Sequence, residues 1–271
     1  MKHSKVLAKI RAGEVARICA LGHFLPFFPK LAAHFGYDGV WVDAEHRAFD
    51  SREAQALLAF HHNADIDCIW RPPTTEKTAL YRLLEDGATG LMIPHVSTAE
   101  QAKTLVAAVK FPPLGERGLD GAGLDADFMT HASPSFPEHA NRETLLVVQI
   151  ETPVAVANAS AIAAIPGVDV LFIGPGDLSL RLGCCPAPSD PQMMSVHKKV
   201  AQAAEMHGKA WGRPVGSIAE AQSIQELGAR FIVLGDDFGA IYSHLASTSA
   251  DLEAAFGVSS IVPNEASLVT P

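Results

Sequence analysis

The sequence predicts a single (β/α)8 barrel, and three features carry that prediction. Eight short apolar runs alternate with segments of helical length and apolar spacing, the pattern of strand–helix units around a parallel sheet. There is no Gly-x-Gly-x-x-Gly turn, which favours a closed barrel over a doubly wound open sheet. Residues with reactive or charged side chains cluster where the runs end, and 271 residues is a common size for one such domain.

Taken in order, Lys5–Gly13 reads as a short amphipathic helix closed by glycine. Ile18–Leu21 is the first strand and ends in Gly22-His23-Phe24; a helix over Phe27–Phe35 then stops at Gly36. Gly39–Val42 is the second strand, followed by Asp43-Ala-Glu45-His46-Arg47. Ser51 is placed as the N-cap of a helix running to about His62. Cys68–Trp70 is the third strand and ends in Arg71; its helix, Glu76–Glu85, closes at Gly87. Gly90–Ile93 is the fourth strand, ending in Pro94-His95, and Ser97-Thr-Ala-Glu100 reads as a capping box before a helix to Lys110.

The period then breaks. Phe111–Arg142 is rich in proline, glycine and acids, and is longer than an ordinary connection, so it reads as a functional excursion. Strands resume at Leu145–Ile150, ending in Glu151, and at Val168–Ile173, ending in Gly174-Pro-Gly-Asp177, with a helix over Val154–Ile165 between them. A helix over Pro191–His207, a strand over Lys209–Val215, a helix over Ala219–Leu227 and a strand over Arg230–Leu234 follow. A last helix spans Phe238–Phe256, so the barrel domain covers residues 1–256 and a polar tail covers 257–271.

Composition narrows the function. Lys and Arg total 21 against 30 Asp and Glu, and the net charge of −9 without a basic stripe argues against a nucleic-acid partner. No apolar run reaches membrane-spanning length, and the first residues lack a signal-peptide core, so neither a membrane partner nor secretion is expected. Cys19, Cys68, Cys184 and Cys185 have no metal-knuckle or disulfide-framework spacing, which fits a cytoplasmic protein with reduced thiols.

In a barrel the strand ends converge on one site, bringing together His23, Asp43, Glu45, His46, Arg71, His95, Glu151, Asp177, Arg213 and Asp236. Glu151 and Asp177 end neighbouring strands, and two carboxylates there repel unless a cation lies between them. Hard oxygen donors suit Mg²⁺, Mn²⁺ or Co²⁺ better than zinc. Either carboxylate alone would equally fit a helix cap or an Arg ion pair; both together favour the metal. Arg71 offers a fork of donors for a carboxylate or enolate oxygen, or else forms a rim ion pair. His46 can move protons near neutrality, or else be a core histidine. The amides of Gly176 and Asp177 open a turn able to hold an anion.

Val42-Asp-Ala-Glu-His46, Arg71-Pro72, Ile93-Pro94, Ser97-Thr-Ala-Glu-Gln-Ala102, Pro112-Pro-Leu-Gly-Glu-Arg117-Gly118, Val148-Gln-Ile-Glu-Thr152 and Gly174-Pro-Gly-Asp-Leu-Ser179 occur in one order over most of the chain. In these the sequence resembles the class II, metal-dependent pyruvate aldolase family of the HpcH/HpaI type. The resemblance implies a (β/α)8 barrel with an exchanged final helix, assembled as a homo-oligomer, a trimer of dimers. It implies metal ligands at Glu151 and Asp177, an enolate-stabilising Arg71 and a catalytic His46. The family partners that histidine with an aspartate; the aligned residue here is Glu85, with Asp86 beside it. Catalytic roles are therefore expected of His46, Arg71 and Glu85, and substrate contacts of Arg71, Gly176, Asp177 and Gln149.

The expected activity is aldol cleavage or formation of 4-hydroxy-2-oxo acids through a pyruvate enolate, its partners being a 2-oxo acid and an aldehyde. Oxaloacetate decarboxylation, or carbon–carbon bond formation to a specialised acceptor, uses the same enolate and is the second expectation. A barrel that only binds an organic acid is the third. No Schiff base is expected, since Lys209 opens its strand at the wrong end. If Gly118–Asn141 lines the acceptor half, from the same or a neighbouring subunit, Asp120, Asp125, Asp127 and Glu138 would favour a neutral hydroxyaldehyde.

Overall fold

The computed structural model describes residues 3–131 and 133–257. Eight parallel strands, β1 (Ala16–Leu21), β2 (Gly39–Asp43), β3 (Asp67–Arg71), β4 (Gly90–Ile93), β5 (Leu145–Ile150), β6 (Val170–Ile173), β7 (Ala210–Val215) and β8 (Phe231–Asp236), close into a barrel in chain order. Around them run α2 (Phe28–His34), α3 (Ser51–Ala64), α4 (Lys77–Glu85), α5 (Ala99–Val109), the short pair α7 (Pro153–Ala157) and α8 (Ala159–Ala163), α10 (Pro191–Met206) and α11 (Ile218–Glu226). The helix expected over Val154–Ile165 is this pair, broken at Asn158. The expected tail starts at Gly257, the left-handed cap of the last helix; residues 258–271 lie outside the described residues.

Strand alternation sorts the core into two layers. Ile18, Ile69, Met92, Val147, Phe172, Phe231 and Val233 point inward and fill the barrel. Their chain neighbours, such as Cys68, Trp70, Leu146, Val148, Leu171 and Ile232, point outward beneath the helices. The helix α1 (Lys5–Arg11) plugs the barrel's amino-terminal rim, with Val6 and Leu7 joining the inner layer. Ser4 Oγ and the Val6 amide both donate to Asp67 Oδ2, at 2.6 and 2.9 Å.

Local chemistry shifts several boundaries. Asp50, not Ser51, caps α3: its carboxylate accepts from the Glu53 amide, and the Glu53 carboxylate accepts from the Asp50 amide, a capping box. The corresponding box of α5 pairs Thr98 with Gln101 rather than Ser97 with Glu100. Gly174-Pro175-Gly176 is not a loop: Pro175 starts α9 (Pro175–Leu182), a position that proline's fixed φ suits.

The excursion holds a 3-10 turn at Leu124–Ala126 and α6 (Phe136–Glu143). It joins the end of α5 to the start of β5, so it lies at the amino-terminal rim, away from the strand ends. Phe111, Ala126, Phe136 and Ala140 give it a small core, and Arg117 and Asp125 pair inside it at 2.6 Å, both buried. Within one chain it therefore does not line the mouth.

The last helix, α12 (Asp237–Phe256), has one buried residue, Asp237. Phe238, Ile241, Tyr242, Leu245, Leu252 and Phe256 form an exposed apolar stripe at helical spacing. No helix among the described residues is long and apolar enough to cross a membrane.

Candidate active site

The carboxyl-terminal rim gathers most of the expected residues, and strand parity explains which. Arg71 lies two residues beyond inward-facing Ile69, and Gln149 and Glu151 continue the inward series of Leu145 and Val147. The register sets Asp43 beside Arg71, and Nε and Nη2 of that arginine meet Asp43 Oδ1 and Oδ2 at 2.9 and 2.8 Å. Nη1 reaches Gln149 Oε1 at 3.3 Å and Glu45 Oε2 at 2.9 Å. The guanidinium stacks over Trp41, 4.6 Å from the ring centroid, and Trp41 rests edge-on against Phe172, so two aromatic rings floor the site. Burial pushes the Asp43 carboxyl up, but the hydrogen bond and charge of Arg71 outweigh it and hold it below its ordinary value.

Glu151 is buried at 3% exposure. Its Oε1 accepts from the His95 amide at 2.5 Å and lies 2.7 Å from His95 Nδ1, while His95 Nε2 lies 3.2 Å from Glu45 Oε1. His95 thus bridges two carboxylates, and it does so from a left-handed backbone, φ +57, that few non-glycine residues adopt. Burial raises the Glu151 carboxyl, and the charges of Glu45 and Asp177 raise it further against the opposing contact of His95. A β-carbon on Gly174 would lie 2.7 Å from Glu151 Oε2, so only glycine lets α9 start this close.

Asp177 sits in the first turn of α9 and pairs with Arg181 one turn on, at 2.8 Å. The amides of Gly176 and Asp177, at the helix start, have no intrahelical acceptor, and the space over Gly176 is open to 4 Å. Among the described residues no three His, Cys, Asp or Glu side chains are grouped to hold a metal ion. Glu151 and Asp177 nevertheless suit a hard cation: both are oxygen donors, and Asp177 lies close enough to add its charge to that of Glu151. Such a site would have two protein ligands.

Other expected residues fall differently. His46 is exposed on the loop after β2, and its Nε2 lies 3.7 Å from Glu45. Glu85 ends α4, which runs antiparallel to the strands and delivers it to the opposite rim. There burial raises its carboxyl, and its electrostatic neighbours are Arg117, Asp125, Asp120 and Asp86. Within one chain, then, Glu85 does not partner His46. Arg213 points outward, its phase set by inward Ala210; it is buried against α10, bonding His197 Nε2 at 2.9 Å and the Pro186 carbonyl at 2.8 Å. Asp236 faces solvent and caps α12, and its neighbour Asp237 turns inward to meet His23 at 2.6 Å. Lys209 bonds the Val168 carbonyl at the amino-terminal rim.

Glu45, expected only as a strand-end residue, and His95, the expected alternative to His46 as proton carrier, join Arg71, His46 and Glu151 into one network. The alternation Asp43-x-Glu45 was the available signal for the first.

Comparison with known proteins gives matches over most of the chain. A family profile described as HpcH/HpaI aldolase/citrate lyase matches residues 26–243. A hydroxypyruvate/pyruvate aldolase of Pseudomonas aeruginosa is 34% identical over 233 residues, 84% of this chain and 85% of its own. A 4-hydroxy-2-oxovalerate aldolase of Novosphingobium aromaticivorans is 36% identical over 224 residues, 80% of this chain and 82% of its own. The crystal structure of an HpcH/HpaI aldolase from Desulfitobacterium hafniense superposes with a TM-score of 0.86 at 30% identity, covering 94% of this chain and 98% of its own.

Proposed function

The chain belongs to the HpcH/HpaI aldolase/citrate lyase family, and on that premise we propose that it is a divalent-metal aldolase that makes or cleaves 4-hydroxy-2-oxo acids through a pyruvate enolate. One observation carries the reading: buried Glu151, Asp177 and the fork of Arg71 meet at one rim, beside the free amides that open α9.

Glu151 and Asp177 would hold Mg²⁺, Mn²⁺ or Co²⁺, which supplies positive charge beside the oxygen that becomes an enolate. The amides of Gly176 and Asp177 hold the substrate carboxylate at the positive end of α9. Arg71, locked by Asp43 and Gln149, donates to the enolate oxygen, where charge grows most in the reaction. His46, against Glu45, moves the proton at the methyl carbon. Trp41 and Phe172 close the floor to water.

The acidic excursion lies at the other rim of its own barrel, so its charges do not select the acceptor within one chain. The exposed stripe of α12 supports an assembly of copies that exchange this helix.

The test pairs metal titration with turnover. Wild-type protein should bind Mn²⁺ and cleave 4-hydroxy-2-oxo acids, with activity lost to EDTA. Glu151→Ala should lose metal and activity together, because Asp177 alone leaves the cation with one charged ligand. Metal-replete Glu151→Ala with normal turnover would sink the assignment.

A further inference from the structure

Across the mouth from β5 stand the ends of β1 and β8, where a second ordered pair faces the same opening. Asp237 is 4% exposed, and among the described residues no Lys or Arg pairs with it. Its Oδ1 accepts from the Gly22 amide at 2.9 Å, and its Oδ2 lies 2.6 Å from His23 Nδ1. An ionised carboxylate can only accept, so in the neutral form of the ring the hydrogen sits on Nδ1 and Nε2 presents a lone pair. The His23 side chain is 51% exposed, so its outer edge is open to a ligand. None of the enolate steps above uses this pair.

We propose that His23, oriented by Asp237, is the residue that selects the acceptor aldehyde, accepting a hydrogen bond at Nε2 from the hydroxyl beside the aldehyde carbon. The proposal rests on the aldolase reading and extends it to the other substrate. An enolate held by Arg71, Glu151 and Asp177 occupies the β3, β5 and β6 side of the mouth, which leaves the β1 and β8 side for the aldehyde. A lone pair there attracts an O–H and repels a carboxylate, so the class chosen is the α-hydroxyaldehydes. Because His23 is half exposed, water replaces the hydroxyl when it is missing. The preference is then modest, about tenfold, the worth of one neutral hydrogen bond.

The experiment compares kcat/KM for glycolaldehyde and acetaldehyde, with pyruvate and Mn²⁺, in the wild type and in His23→Asn. The asparagine amide reaches the place of Nδ1 and keeps a donor on Asp237, but it removes Nε2. The ratio of the two values should fall about tenfold in His23→Asn, mainly through the KM of glycolaldehyde. Dividing variant by wild type cancels the intrinsic reactivities of the two aldehydes. His23→Ser, which lets water reach Asp237, should show the same fall, so the test survives poor folding of one variant. An unchanged ratio in a folded variant overturns the proposal. Exchange of the pyruvate methyl protons with solvent deuterium, with metal but without aldehyde, reads the enolate half separately in the wild type. Its absence overturns the aldolase reading together with this one; its presence beside an unchanged ratio overturns only the role of His23.

Discussion

Arg71 makes its contacts as a fork, with two nitrogens on Asp43 and a third between Glu45 and Gln149. Lysine brings a single charge to the same place and cannot hold that geometry. Arg71→Lys should therefore lower turnover by about 10²–10³-fold, the usual loss for one donor to a developing oxyanion. Binding of Mn²⁺ should be retained, since Glu151 and Asp177 are untouched. Wild-type turnover in steady-state assays of this variant would reduce Arg71 to a rim ion pair.

At the scale of elements, the plug helix α1 and strand β3 meet at Asp67. Burial pushes its carboxyl from the ordinary 3.8 up to about 6, against the hydrogen bonds of Ser4 and Val6. A raised carboxyl favours the folded protein when protonated. This contribution is complete below about pH 4 and is lost as pH rises through about 6. The gap corresponds to about 3 kcal/mol. Asp67→Asn keeps an oxygen for both donors and carries no charge, so it should lack this part of the pH dependence. Thermal melts from pH 4 to 7 should show the wild type losing stability relative to the variant as pH rises. Parallel curves would mean that Asp67 titrates alike in both states. The same element scale explains why Asp177 reaches the mouth: Pro175 starts α9 immediately after β6, and Gly174 lets it approach Glu151.

For the whole molecule, α12 carries the proposed assembly. A helix of 20 residues with a single buried side chain cannot gain its stability from its own barrel. Phe27, Leu31 and Phe35, along α2 and its two caps, leave a second apolar stripe exposed. We propose that a partner copy's α12 covers such surface in the oligomer. Leu245→Glu and Phe256→Glu, made together, should release smaller species in sedimentation velocity and lower the melting temperature. An unchanged sedimentation coefficient would show that α12 is not the joint.

The barrel was legible because its signals are local. Apolar runs of strand length, glycine stops and capping residues recur along the chain, and a parallel sheet buries both faces of every strand. The shared rim of Glu151, Arg71 and Gln149 was legible because each ends or nearly ends a strand. That argument could not phase β7, where nearly every residue is buried, and Arg213 proved to face α10. Only the packed chain decided which ends meet. The α4 helix carries Glu85 away from His46, and the excursion folds against the rim opposite the mouth. His95 is drawn between Glu45 and Glu151, and His23 meets a carboxylate 214 positions away. Such pairings depend on closure of the barrel, which sets side by side residues that no local period relates.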